Sequence, residues 1–178
     1  MLNHPTTFAE WQKYPKTLDP IHVAWLKNAK KSKTSFAVAD IEGVEISHKK
    51  FLTGVLLFSK KIEDYSPEQN VGLLLPSSGG GAIASMAILS LGKTIVNLNF
   101  TAGKKALSSA AKQAEVKHIY TSRKFLDKML ERGMDFESYF PDSRLLMLED
   151  IREEISTLSR IGTLLKAIVL PASMIQKS

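Results

Sequence analysis

Two rhythms of apolar and polar positions alternate along the chain. Short apolar runs at residues 71–75, 94–98, 117–121 and 144–148 are bounded by Gly, Pro, Asn or Ser and predict strands. Between them lie stretches with helical spacing. Residues 82–91 are apolar over about three turns, and residues 104–114 form a more polar helix. Ser122 then caps a segment in which Phe125, Leu126, Met129 and Leu130 share one face before Gly133. Upstream, Asp19-Pro20 predicts a helix start, and Ile21, Ala24, Trp25 and Ala29 make one face up to Lys30. Residues 35–39 and 44–46, joined by a turn at 40–43, predict a small hairpin. Ser47 caps a helix with Phe51, Leu52, Val55, Leu56 and Phe58 on its stripe, ending near Asp64. Residues 134–143 are expected to be loop, 149–159 an exposed helix, and 163–170 an apolar helix that stops before Pro171.

The chain is organised around residues 70–114. An apolar run ends at Pro76, and Ser77, Ser78 and the glycines 79–81 follow. Then come the apolar helix, closed by Gly92, and a second β-rich run. Strand, Gly-rich turn, helix and strand within about 30 residues make a βαβ unit of a parallel sheet. No acidic side chain lies between Glu68 and Glu115, so the unit is expected to be buried with helices on its faces. The predicted class is α/β, a mainly parallel sheet flanked by helices with a small N-terminal β-hairpin. Residues 1–18 are expected to form a tether and 19–178 the folded body.

Composition narrows the function. At 178 residues, 44% hydrophobic and 24% charged, the chain is large enough for a real core and is not a disordered polypeptide. A net charge of +6 invites a nucleic-acid reading. The lysines, however, are scattered over several helices without interleaved aromatics, so no nucleic-acid partner is expected. A basic surface equally suits an acidic partner or a membrane face. The absence of cysteine excludes disulfides, thiol catalysis and cysteinyl metal sites, and fits a cytoplasmic protein. The N-terminus lacks the basic-then-apolar pattern of a signal peptide, and the turn at 76–81 divides the long uncharged stretch into pieces too short to span a bilayer.

Candidate chemistry is sparse. Gly79-x-Gly81-x-x-Ala84 follows a strand and opens a helix, a loose match to a dinucleotide fingerprint, so Gly79 and Gly81 are the cofactor-binding candidates. The acid expected about 20 residues on is missing. Tight packing of a turn against neighbouring backbone is the simpler role for these glycines. Gly92-Lys93-Thr94 imitates the end of a P-loop, but Ala87 stands where a glycine is required and a strand follows. His4, His22, His48 and His118 show no ligand spacing, no Gly-x-Ser-x-Gly elbow exists, and Glu149-Asp150 and Glu153-Glu154 suit a helix dipole. No catalytic or metal-binding residue is assigned.

The central unit nevertheless resembles the N-terminal part of the AMP-forming acyl-CoA synthetase superfamily. The residues that carry the resemblance are Leu75-Pro76-Ser77-Ser78, Gly92 and Asn97-Leu98-Asn99-Phe100. Leu98-Asn99-Phe100-Thr101-Ala102-Gly103, Thr121-Ser122-Arg123-Lys124-Phe125 and Leu148-Glu149-Asp150-Ile151-Arg152 are similar to a narrower group. That group is the acyl-acyl-carrier-protein synthetase domain of bifunctional 2-acylglycerophosphoethanolamine acyltransferases. The likeness covers residues 33–170. Asn97 departs from the proline of most of the superfamily, and the Ser/Thr/Gly-rich loop with its lysine is absent.

The resemblance implies the N-terminal part of an ATP-dependent ligase. Such an enzyme activates a fatty acid as acyl-adenylate and transfers it to acyl carrier protein or CoA. ATP and Mg²⁺ would belong to the full-length enzyme, with none on this fragment, which is expected to be inactive alone. Ile83 and Met86 on the apolar helix are candidates for an acyl-pocket wall, although ordinary core is the simpler role for such a stripe. Asn99 is the polar residue most suited to a fixed role, and it suits a bond to local backbone. The missing C-terminal part would be a partner, and the truncated surface could pair two copies in a homodimer. The location would be cytoplasmic, with the inner membrane face reached through other domains of the parent chain. The alternative is a free-standing nucleotide-binding or protein-docking α/β module without catalysis.

Overall fold

A computed structural model describes residues 19–32, 36–40 and 43–175. The tether expected at 1–18 lies outside the described residues. Helix α1 (Ile21–Lys31) precedes strands β1 (Phe36–Ala39) and β2 (Glu45–Ser47). Helix α2 (His48–Tyr65), β3 (Asn70–Leu73), α3 (Gly79–Ser90), β4 (Thr94–Asn97), α4 (Lys104–Gln113) and β5 (His118–Thr121) follow. The chain continues through α5 (Arg123–Leu130), a 3₁₀ turn (Glu137–Tyr139), β6 (Arg144–Met147), α6 (Leu148–Glu154), α7 (Thr157–Val169) and α8 (Ala172–Ile175).

The expected α/β class is borne out. Strands β3 to β6 form a four-stranded sheet in the order β4-β3-β5-β6, and every pair is parallel. Strands β1 and β2 make a separate antiparallel hairpin. The first crossover from β3 goes out to β4, and the next returns past β3 to β5. The strand order therefore reverses at β3 and β5, the switch point where open α/β sheets tend to build sites.

Period-2 alternation sorts the strand residues into two layers. Val71, Leu73, Tyr120 and Leu146 pack with Phe51, Val55, Phe58 and Ile62 of α2 and Ala84, Ala87 and Ile88 of α3. Leu74 and Ile119 face the opposite layer, with Leu107 and Ala111 of α4, Phe125 and Met129 of α5, and Phe136 and Phe140. A third cluster joins Leu26 of α1, Leu52 of α2, Ala167 of α7 and Ile175 of α8. Tyr120 is fully buried. Its hydroxyl meets Ser66 Oγ at 2.9 Å, and burial pushes its pKa up to about 12.

Four boundaries differ from expectation. Helix α3 starts at Gly79 instead of 82, because Ser78 adopts extended backbone and its hydroxyl accepts the Gly81 amide proton. Pro20 and not Asp19 is the N-cap of α1, since Asp19 pairs with Lys27 at 2.6 Å. The loop at 134–143 contains the 3₁₀ turn, between buried Phe136 and Phe140. The helix expected over 149–159 breaks at Ile155, where Ser156 caps a new helix through the Ser159 amide, and α7 runs from there to Val169. Gly92 ends α3 as expected: its φ of +69° lets its amide reach Leu89 O and that of Lys93 reach Ile88 O.

Candidate functional site

The loop after β3 builds a broad cleft at the C-terminal edge of the sheet. Leu75, Pro76, Ser77 and Ser78 form its floor, and Gly81, Ala82 and Ser85 of α3 form one wall. Val38, Ala39 and Asp40 of the hairpin close another side, Asn97 at the end of β4 a third, and the volume is about 680 Å³. The lining mixes apolar side chains with the hydroxyls of Ser77, Ser78 and Ser85, the Asn97 amide and the Asp40 carboxylate.

Asp40 locks the hairpin to this cleft. One carboxylate oxygen accepts from Val44 N at 3.0 Å and closes the turn, while the other accepts from Gly79 N at 3.3 Å. A Cβ at Gly79 would lie 2.6 Å from Ile46 Cδ1, so the absence of a side chain allows the hairpin to lean on the helix start. The Gly81 amide goes to Ser78 Oγ at 3.1 Å. Both candidate glycines therefore have their amides engaged by internal acceptors at the positive end of α3.

A second helix start on the same edge of the sheet is treated alike. Ser122 caps α5 through the Phe125 amide, and Glu149, just beyond β6, accepts from Arg123 N at 3.1 Å. The Arg123 guanidinium pairs with Asp150. Burial pushes Glu149 up, but the amides of Arg123, Glu149 and Lys124 and the Ser122 hydroxyl together hold it below the usual carboxylate value. Glu149 thus serves the dipole of α5, not only that of its own helix.

The remaining candidates are not brought into the cleft. Ile83 packs towards α2 beside Gly54, and Ile83 and Met86 lie half-buried against the core of the α2–α3 layer. Ala82 and Ser85 take the cleft-facing positions instead. Asn99 is exposed, and its Oδ1 accepts from Thr101 N at 3.1 Å and Thr101 Oγ1 at 2.8 Å, a local turn bond. Among the described residues the histidines do not gather: His118 Nδ1 lies 3.0 Å from Glu68, and His48 Nδ1 is buried without a partner. No group of three His, Cys, Asp or Glu among the described residues could hold a metal ion. Nor is any helix among them long and apolar enough to cross a membrane. The engaged amides at α3 and α5 do not fit an ATP phosphate as they stand, because an arriving anion would first have to displace a carboxylate or a serine hydroxyl.

Asp40 was not legible as a site residue. It lies 39 positions from Gly79, and nothing in the local pattern links an acid after a hairpin strand to a distant helix start.

No family model matches the chain. Solved structures share its fold. VinN in complex with 3-methylaspartate superposes with a TM-score of 0.62 at 13% identity, over 83% of this chain and 38% of that one. A nonribosomal peptide synthetase, FmoA3, in its α-methyl-L-serine-AMP bound form gives 0.63 at 15% identity, over 84% of this chain and 17% of that one. The N-terminal subdomain of Klebsiella oxytoca NpsA gives 0.62 at 10% identity, over 79% of this chain and 34% of that one. The chain spans less than two-fifths of the length of each. What these similarities establish is the architecture: the chain shares the α/β fold of these structures.

Proposed function

We propose that the chain is the N-terminal part of an ATP-dependent ligase that activates a fatty acid and passes the acyl group to acyl carrier protein or CoA. In that chemistry a carboxylate oxygen attacks the α-phosphorus of ATP and expels pyrophosphate. A thiol then takes the acyl group and releases AMP. The fold, shared with a nonribosomal peptide synthetase solved in its α-methyl-L-serine-AMP bound form, supports the general chemistry. The resemblance of residues 98–103, 121–125 and 148–152 supports the finer choice of a fatty acid and an acyl-carrier thiol. The observation that carries the reading is that Asp40 and Glu149 already occupy the helix starts at the sheet edge. On this reading ATP and Mg²⁺ are held by a part of the parent enzyme beyond this chain, and the residues here supply scaffold and one wall of the cleft. The helix-start carboxylates keep that edge closed to phosphate, while Ser77, Ser85 and Asn97 offer polar contacts to a small molecule.

Isothermal titration of ATP-Mg²⁺ and of a non-hydrolysable acyl-adenylate analogue into this chain tests the reading. No heat from ATP, and no AMP release with fatty acid and ATP, is the expected result. Micromolar ATP binding would make the chain a nucleotide-binding module in its own right and overturn the proposal.

A further inference from the structure

The cleft keeps hydrogen-bonding capacity that the fold does not use. Ser77, in the loop after β3, and Asn97, at the end of β4, both line it and both are exposed. Neither side chain has a hydrogen-bond partner among the described residues. Two further hydroxyls are half used. Ser78 Oγ accepts the Gly81 amide proton and retains its own, and Ser85 Oγ donates to Gly81 O at 2.8 Å and retains its lone pairs. Asn97 is also unusual as a strand residue. Asparagine is depleted in strands, and its companions in β4 are Thr94, Ile95 and Val96. The C-terminal end of a parallel strand is where open α/β sheets contact their ligands.

These groups decide what kind of chain can lie in the cleft. An unbroken hydrocarbon would strip water from the Ser77 hydroxyl and the Asn97 carboxamide and return no hydrogen bond. That loss offsets the gain from covering Leu75, Pro76 and Ala82. A chain that carries a hydroxyl returns a donor and an acceptor through one atom. A site equipped to bond a hydroxyl discriminates against the analogue lacking it more sharply than an apolar pocket discriminates by size.

We propose, resting on the ligase reading above, that Asn97 together with Ser77 determines specificity in the cleft by selecting a hydroxylated acyl chain over an unbroken one. Asn97 acts through binding alone and takes no part in the transfer of the acyl group.

Titration of decanoate and of 3-hydroxydecanoate into the isotope-labelled chain, followed by NMR at the Asn97 side-chain amide and the Gly81 backbone amide, tests it. The two acids share a carboxylate and a chain length, so the charge of Asp40 acts on both alike. The hydroxy acid should bind at least about tenfold more tightly. Asn97→Leu should remove that preference by weakening the hydroxy acid alone, with the melting temperature unchanged because the position is exposed. Ser77→Ala should reduce the same preference, and damage to the fold would instead weaken both acids together. Equal binding of the two acids, or a preference that survives both substitutions, overturns the proposal and leaves the ligase reading standing. If neither acid moves a cleft resonance, the proposal is also overturned, since no acyl chain then enters this cleft. The ligase reading itself falls only on the separate finding of ATP binding.

Discussion

Two helix starts, α3 and α5, sit on the same edge of the sheet, and each is met by a carboxylate from elsewhere in the chain. They differ in what holds the carboxylate. Glu149 follows directly from β6, which is paired with β5 from His118 to Thr121, and β5 leads into α5. Acid and amide are thus carried by adjacent strands of one ladder. Asp40 comes from a hairpin outside the sheet, whose strands are half-buried or exposed, and it crosses to Gly79 through one bond of 3.3 Å. Equivalent electrostatics therefore rest on unequal foundations. The α5 cap is part of the core architecture, while the α3 cap is an attachment that can leave without dismantling the sheet.

The sharpest way to break this contrast is to remove the foundation under α5. Tyr120 and Thr121 are fully buried, and Thr121 Oγ1 donates to Leu74 O at 2.8 Å. Tyr120→Ala should destabilise the chain by about 3–5 kcal/mol, measured by urea denaturation, and carry the α5 start with it. A loss under about 1 kcal/mol would mean the strand is not the support described here.

Glu149→Gln should cost about 1 kcal/mol at neutral pH, as for loss of a charged cap. The sign with pH follows from its lowered pKa. A carboxyl held below its unfolded value contributes stability that is complete above that value and is lost as pH falls through the folded value. The difference in melting temperature between wild type and Glu149→Gln should therefore be present at neutral pH and shrink below the ordinary Glu value of 4.5. A difference that stays constant down through acid pH would detach Glu149 from the α5 dipole.

Asp40→Ala should have the smallest effect on stability, about 0.5–1 kcal/mol, but it should change binding. With the carboxylate gone, the Gly79 amide loses its acceptor at the start of α3, and its NMR shift should respond to inorganic phosphate where the wild type does not. If wild type and variant respond equally, Asp40 does not guard the helix start.

Much of the fold could be read from residues alone because its signals are local. Four apolar runs became four parallel strands, Gly92 ended its helix in a left-handed conformation, and Ser47 and Ser122 capped the helices that follow them. The errors arose where a local signal was outweighed. Three successive glycines disfavour helix, yet the Ser78 cap, the contact with Ile46 and burial of Gly79 and Gly81 hold them in the first turn of α3. The charges at 149–159 suggest an exposed helix over that span, but the Ser156 cap starts another within it. The candidate site was less legible. Gly81 lines the cleft, but Asp40, the acceptor of the Gly79 amide, is distant in sequence, and which face of the apolar helix meets the cleft depends on where α2 packs. A single chain pattern cannot distinguish Ala82 and Ser85 from Ile83 and Met86 when all lie in one nearly uniform apolar run.

The strand order has a consequence for how the molecule is made. Neighbouring strands β3 and β5 meet across a separation of 47 residues at Thr121 and Leu74, and no hairpin joins any two strands of the sheet. During synthesis β3 can be flanked by β4 first, but its other edge stays open until β5 has left the ribosome. Until then the nascent chain presents an unpaired parallel edge beside uncovered apolar residues, the condition under which chaperones are recruited.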